Sequence, residues 1–109
     1  MAYDEGLAHL WREDLAEVEG IAELHMFGGL CFMARGHMLC GVIRDGGMAR
    51  VGKDHMAAAC AMEGVTPLAF TGRPMGGLVA LDAELMADDA RRGAVLALAL
   101  DFVAGLPPK

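Results

Sequence analysis

The chain contains no serine, and its only aliphatic hydroxyl groups are those of Thr66 and Thr71. A serine hydrolase with its nucleophile in a G-x-S-x-G turn is therefore excluded. Basic residues are also few, since nine Lys and Arg stand against fifteen Asp and Glu and give a net charge of −6 at pH 7. Lys and Arg supply most of the affinity of sequence-independent nucleic-acid binding. We therefore expect no strong binding to DNA or RNA.

Long apolar runs and export signals are absent as well. No uninterrupted apolar stretch approaches the roughly 20 residues that a membrane-spanning helix needs. The N-terminal residues include Asp4 and Glu5, whereas a secretory signal peptide begins with basic residues. The three cysteines are an odd number without paired spacing, which favours reduced thiols over a disulfide framework. We expect a cytoplasmic protein that has no contact with the membrane.

The length of 109 residues predicts one domain, residues 1–109, which buries roughly 65% of its unfolded surface. Nine methionines and six aromatic residues indicate a core that is filled largely by flexible side chains. Methionine-rich surfaces also occur at adaptable interaction sites. Both uses of methionine are compatible with this composition.

The first half of the chain predicts a helix followed by four strands. Apolar residues recur every three or four positions over residues 3–18, which is typical of an amphipathic helix with Trp11 on its buried face. Short apolar runs separated by Gly-Gly, Arg35-Gly36 and Asp45-Gly46 predict an antiparallel meander. Its strands are expected at residues 21–27, 30–34, 37–43 and 48–51. One sheet face is then covered by the helix.

The second half predicts a helix over residues 53–63, a loop over 65–77, a strand over 78–81 and a helix over 84–104, with Asp82 as its N-cap. The last helix is apolar nearly all round, which indicates either central packing or a subunit interface. We therefore predict a protein partner or a homodimer. Its contact surface is expected on this helix or on an exposed sheet edge such as residues 48–51.

Four sulfur-bearing side chains are predicted to share one face of the hairpin. If Arg35-Gly36 forms a two-residue turn, Met33 faces Met38 and Cys31 faces Cys40. Thiolate and thioether groups are the ligands that favour Cu(I), and thiolates favour Zn(II). The same residues are also common core-filling side chains, and the chain has no Cys-x-x-Cys motif. Both interpretations stay open at this point, and we assign no metal or other cofactor.

The glycine-rich segment around Arg73 lies between predicted strands and lacks the spacing of a phosphate-binding loop. Arg73 can bind a carboxylate or phosphate, or it can form an ion pair with Asp82 or Glu84. The four histidines have no zinc-binding spacing. The sequence therefore predicts no catalytic residue, and we expect a protein that is not an enzyme.

Three segments carry a family resemblance: residues 26–42, the Phe70-Thr71-Gly72-Arg73-Pro74-Met75 stretch, and the ending at residues 102–109. They resemble the TfoX/Sxy N-terminal domain family, bacterial proteins named for regulators of natural competence. The resemblance implies an α+β two-layer sandwich, an antiparallel sheet with helices packed on one face, similar to the secretion-chaperone-like architecture. Longer competence regulators in the family add a C-terminal domain.

The resemblance implies a non-enzymatic protein-interaction or regulatory domain, and it supplies no established catalytic residues. The alternative is a small-ligand or metal-responsive domain. Two sets of residues are candidates for such a role. The first is the loop with Gly72, Arg73 and Met75, and the second is the thiol and thioether patch of Cys31, Met33, Met38 and Cys40.

Overall fold

A computed structural model describes residues 3–26, 28–44, 46–70 and 73–107, with the side chains of 70 and 73–75 excepted. Across these ranges the chain forms four α-helices, six strands and a short 3-10 helix at Lys53–His55. The helices are α1 (Glu5–Asp14), α2 (Met56–Cys60), α3 (Ala83–Ala87) and α4 (Asp89–Ala104). The strands are β1 (Ile21–Met26), β2 (Gly29–Ala34), β3 (His37–Ile43), β4 (Gly46–Arg50), β5 (Val65–Phe70) and β6 (Arg73–Leu81).

The six strands form one antiparallel sheet in the order β1-β2-β3-β4-β6-β5. The predicted α+β class and the meander of the first four strands are confirmed. Phe27 is the last residue of the predicted first strand, and Asp45 belongs to the predicted turn before the fourth strand. Both residues lie outside the described part of the chain. The prediction that residues 48–51 form a sheet edge is wrong. These residues lie in and just after β4, and β6 pairs with the side of β4 that faces away from β3. The two edges are β1 and β5.

The predicted loop over residues 65–77 is also wrong, since β5 and β6 pair through this region. Proline and glycine in the segment suggested a loop. Pro67 is accommodated because β5 is an edge strand, where one side of the backbone needs no N–H donor. A register shift between Pro67 and Ala69 accounts for the irregular spacing of the apolar residues.

The helices are shorter than the sequence predicts, and aspartate side chains cap the N-termini of three of them. α1 begins after Asp4, whose carboxylate accepts hydrogen bonds from the N–H groups of Gly6 and Leu7. Asp82 caps α3 as predicted, and its carboxylate accepts from Leu85 N–H at 2.8 Å. Asp88 then caps α4 by accepting from the N–H groups of Ala90 and Arg91, which divides the predicted helix over 84–104 in two. The predicted helix over 53–63 is helical only at Lys53–His55 and in α2.

The helices pack on one face of the sheet around Trp11. This side chain is fully buried, as predicted, and its Nε1–H donates to the carbonyl oxygen of Gly41 at 2.8 Å. The buried apolar residues of α4 join the same core, and the half-buried ones pack against it. Among the described residues no large apolar side chain of α4 is exposed. The large apolar side chains of this helix are therefore buried or half-buried within the chain, and a contact surface on the helix stays a prediction.

The described helices include none that is both long enough and apolar enough to span a membrane.

Candidate functional site

The opposite face of the sheet carries a second apolar cluster that is built from strand residues. Its buried members are Cys31, Ile43, Met48, Leu68 and Leu78, and its half-buried members are Met26, Met33, Met38 and Ala80. No described helix residue belongs to this cluster. We call this surface the helix-free face. A row of paired residues crosses it from edge to edge: Leu24, Cys31, Gly41, Met48, Ala80 and Thr66.

The predicted pairing of the sulfur-bearing residues holds only next to the turn. Arg35 and Gly36 have φ of 51° and 86°, and Met33 pairs with Met38. The register then shifts, so that Cys31 pairs with Gly41 and Cys40 pairs with Phe32. The prediction that Cys31 faces Cys40 is therefore wrong.

The physical reason is a β-bulge, in which one extra residue is accommodated in β3 between Met38 and Cys40. A shift of one residue moves every later side chain to the other face. Cys40 consequently joins the core beneath the helices, while Cys31 stays on the helix-free face.

Two of the remaining sulfur atoms are in contact, since Cys31 Sγ lies 3.9 Å from Met38 Sδ. Burial raises the pKa of the Cys31 thiol to about 11 and raises the pKa of Cys40 well above its usual value. Both thiols are therefore protonated near neutral pH, and a protonated thiol is a weak nucleophile. Within the ranges that the structure describes, no three His, Cys, Asp or Glu side chains are placed to hold a metal ion.

The edge strand β1 presents the most accessible apolar group. Leu24 is 48% exposed, and no other large hydrophobic side chain among the described residues is classed as exposed. Its pairing with Cys31 places it on the helix-free face. The side chains of Glu23 and His25 therefore point to the other side of the sheet.

Glu23 and His25 are held by residues of the N-terminal segment. The Nε and Nη2 groups of Arg12 donate to the two carboxylate oxygens of Glu23, each at 2.9 Å. This ion pair lowers the pKa of Glu23. The His25 ring packs against the Tyr3 ring with 6.1 Å between centroids. The edge of β1 therefore carries an apolar side chain on the helix-free face, and an acidic and a basic side chain on the helix side.

The other set of candidate residues is the loop with Gly72, Arg73 and Met75. Gly72 lies outside the described residues, and so do the side chains of Arg73 and Met75, whose backbone belongs to β6. The possible ion pairs of Arg73 with Asp82 or Glu84, and its binding of an anion, therefore stay predictions.

Directly after this segment, Gly76 and Gly77 line a cavity of about 310 Å³. The other lining residues are Arg50, Gly52, Lys53, Asp54 and Phe102. Arg50 and Lys53 belong to no motif in the sequence. The available signal was the Gly76-Gly77 pair, because paired glycines often mark a close approach of two backbone segments.

Sequence reasoning also missed Arg92, which is only 3% exposed. Its Nε and Nη2 donate to Asp14 at 2.7 and 3.1 Å, and Nη2 also donates to Asp89 at 2.8 Å. Nη1 donates to the Met86 carbonyl oxygen at 2.6 Å. The guanidinium joins α1, α3 and α4, so we interpret it as structural. Its position in helical spacing with Val95 and Ala99 was the signal that could have located it.

Comparison with known proteins gives one match. The family model described as the TfoX N-terminal domain matches residues 13–103, which is most of the chain. No curated protein matches the chain, and no solved structure does.

Proposed function

Since the chain belongs to the TfoX N-terminal domain family, we propose that it is a non-enzymatic, cytoplasmic regulatory domain that acts by binding protein. Its partner is a second copy of the chain, which pairs along the edge strand β1. The observation that carries this proposal is the 48% exposed Leu24 on an open sheet edge. The absence of serine and the protonated state of the two buried thiols support a role without nucleophilic catalysis.

Strand β1 is better suited to edge pairing than β5. An unpaired edge offers N–H and C=O groups to another strand. Pro67 removes one N–H donor from β5, whereas every residue of β1 keeps its donor. Edge pairing between two copies of β1 would continue the sheet across the dimer and close it with twofold symmetry.

The charges on β1 select a register for this pairing. With Leu24 on the twofold axis, it faces Leu24 of the second copy, and Glu23 faces His25 of the second copy on both sides of the axis. A register centred on Glu23 would instead place the two Arg12-bound carboxylates opposite each other and pair Leu24 with Ala22, so that the leucine side chains would not meet. The Leu24-centred register therefore combines an apolar contact with two complementary polar pairs.

Sedimentation velocity at micromolar concentration tests the proposal. The parent chain is expected to sediment as a dimer, at about twice its 11.5 kDa. Leu24→Lys should weaken the dimer by about 30- to 100-fold, because two half-buried leucine contacts worth roughly 1 kcal/mol each are lost and two like charges meet. Ala97→Lys adds the same charge at an exposed position of α4 and serves as the control. A parent chain that is monomeric, or equal weakening by both substitutions, would contradict the proposal.

A further inference from the structure

Two cations converge on the cavity beside Gly76 and Gly77. Arg50, the last residue of β4, and Lys53, at the start of the 3-10 helix, both line it. The guanidinium carbon of Arg50 lies 5.2 Å from the centroid of the Phe102 ring. A guanidinium stacked on an aromatic ring keeps its edge N–H groups available as donors. Arg50 is therefore positioned to donate hydrogen bonds into the cavity.

The glycines bring the cavity walls close together. Gly52 and Gly77 both have φ of 84°, and the Gly77 carbonyl oxygen accepts hydrogen bonds from the N–H groups of Val51 and Gly52. A Cβ atom on Gly52 would lie 2.3 Å from Cδ1 of Phe102. A side chain at this position would therefore collide with the ring.

The side chain of Lys53 lies across the backbone of Gly76 at the edge of the cavity. A Cβ atom on Gly76 would lie 3.0 Å from Cε of Lys53 and 4.0 Å from its Nζ. The lysine stem therefore rests on a backbone that has no side chain. Arg50 and Lys53 therefore border the same open space.

The charges of these residues are not neutralised by neighbours in the described part of the chain. Arg12, Arg91 and Arg92 are all ion-paired with carboxylates. For Arg50 and Lys53, no described carboxylate lies within ion-pair distance. Among the described cations Arg35 and Arg44 are also without an ion pair, but they do not line the cavity. The cavity lining therefore combines two cations with one acidic residue, Asp54, in a chain with a net charge of −6.

We propose that this cavity binds a small metabolite through a phosphate or carboxylate group held by Arg50 and Lys53. The guanidinium suits a planar, bidentate contact with oxyanions, and the lysine ammonium adds a point charge. A volume of about 310 Å³ accommodates a small molecule. The proposal is independent of pairing through β1, because no residue of β1 lines the cavity.

Titration calorimetry with inorganic phosphate and with citrate, at ionic strength matched by potassium chloride, tests this site. We expect saturable binding of at least one of them. The stronger ligand identifies phosphate or carboxylate as the group that is recognised. Arg50→Gln and Lys53→Gln should each raise the Kd by about tenfold, the usual effect of losing a charge-assisted hydrogen bond. Asp54→Asn should lower the Kd, because it removes a negative charge that repels the bound anion.

Arg35→Gln is the matched control, since it removes one positive charge from the exposed hairpin turn. Its Kd should equal that of the parent chain. The melting temperature of each ligand-free variant shows whether it is folded, which matters for Arg50→Gln because that substitution also removes the contact with Phe102. Lys53 is exposed, so Lys53→Gln is expected to fold normally.

Three results would overturn the proposal. The first is no saturable binding of either anion, and the second is a parent-like Kd for folded Arg50→Gln and Lys53→Gln. The third is an equal loss in Arg35→Gln, which would indicate a general effect of net charge. Repeating the titration with Leu24→Lys separates this site from the dimer, and the Kd should be unchanged.

Discussion

Removing Asp14 should destabilise the protein more than removing Arg92, the buried cation that it binds. Arg92 is 3% exposed, whereas the side chain of Asp14 is 24% exposed. Asp14→Ala leaves a buried guanidinium with only the Met86 carbonyl and Asp89, which is itself 88% exposed. Loss of one partner of a buried ion pair costs about 3–5 kcal/mol, and the two surviving bonds place this variant near the lower end, about 3 kcal/mol.

Arg92→Met has a different effect because it removes the buried charge itself. Asp14 and Asp89 then reach water, and the main cost is the Met86 carbonyl oxygen that loses its donor. We expect this to cost about 1–2 kcal/mol. In the double variant, Asp14→Ala should add almost nothing to Arg92→Met, because the guanidinium that needed the carboxylate is gone.

Urea denaturation followed by fluorescence of Trp11, the single tryptophan, measures these differences. With a slope of roughly 1–3 kcal/mol per M, Asp14→Ala should lower the midpoint by about 2 M, and Arg92→Met by about half as much. Aggregated samples are excluded by sedimentation, and oxidised samples by mass spectrometry. The reasoning is refuted if Arg92→Met is the more destabilising variant, or if the double variant is less stable than Asp14→Ala.

Two further predictions concern buried side chains. Trp11→Ala should lower the free energy of unfolding by about 3–5 kcal/mol, because a fully buried side chain is lost. Trp11→Phe should lower it by about 1–3 kcal/mol, because the Gly41 carbonyl loses its hydrogen-bond donor. Far-ultraviolet circular dichroism in urea measures both changes, and a variant as stable as the parent would contradict the packing. In the native protein, Cys60 should react first with a thiol reagent, and Cys31 and Cys40 only as the fold opens, because burial raises the pKa of both. Mass spectrometry of partly labelled protein tests this order, and early labelling of Cys40 would contradict its place in the core.

Local patterns predicted the first half of the fold well because each feature there has its own sequence signal. The three- and four-residue spacing around Trp11 indicated α1, and Arg35-Gly36 defined the hairpin turn. Other features depend on contacts between distant segments. The pairing of β6 with β4 leaves β5 at the edge, and no local pattern around Pro67 distinguishes an edge strand from a loop.

The candidate sites were predicted less completely, for the same reason. The bulge near Leu39 has no turn residue to mark it, so pairing counted from the turn placed Cys40 on the wrong face. The cavity joins Arg50, Gly77 and Phe102, which are far apart in sequence and become neighbours only through the order of the sheet. The exposed Leu24 lies in an ordinary apolar strand, and only the finding that β1 is an edge makes it a candidate contact.

The central claim is that two chains pair through β1 with Leu24 on the twofold axis, and disulfide cross-linking of Leu24→Cys tests it most directly. The background is Cys31→Ala with Cys60→Ala, because Cys31 lies directly opposite Leu24 within the same chain and would otherwise capture the new thiol. Directly opposed residues in antiparallel strands have Cα atoms about 4.5–5.5 Å apart, within the span of about 4.4–6.8 Å that a disulfide bridges. Mild oxidation should therefore convert Leu24→Cys to a covalent dimer. His25→Cys, whose counterpart lies on the diagonal at roughly 7–8 Å, should cross-link far less. Failure of Leu24→Cys to cross-link, or equal yields from the two variants, would contradict the account.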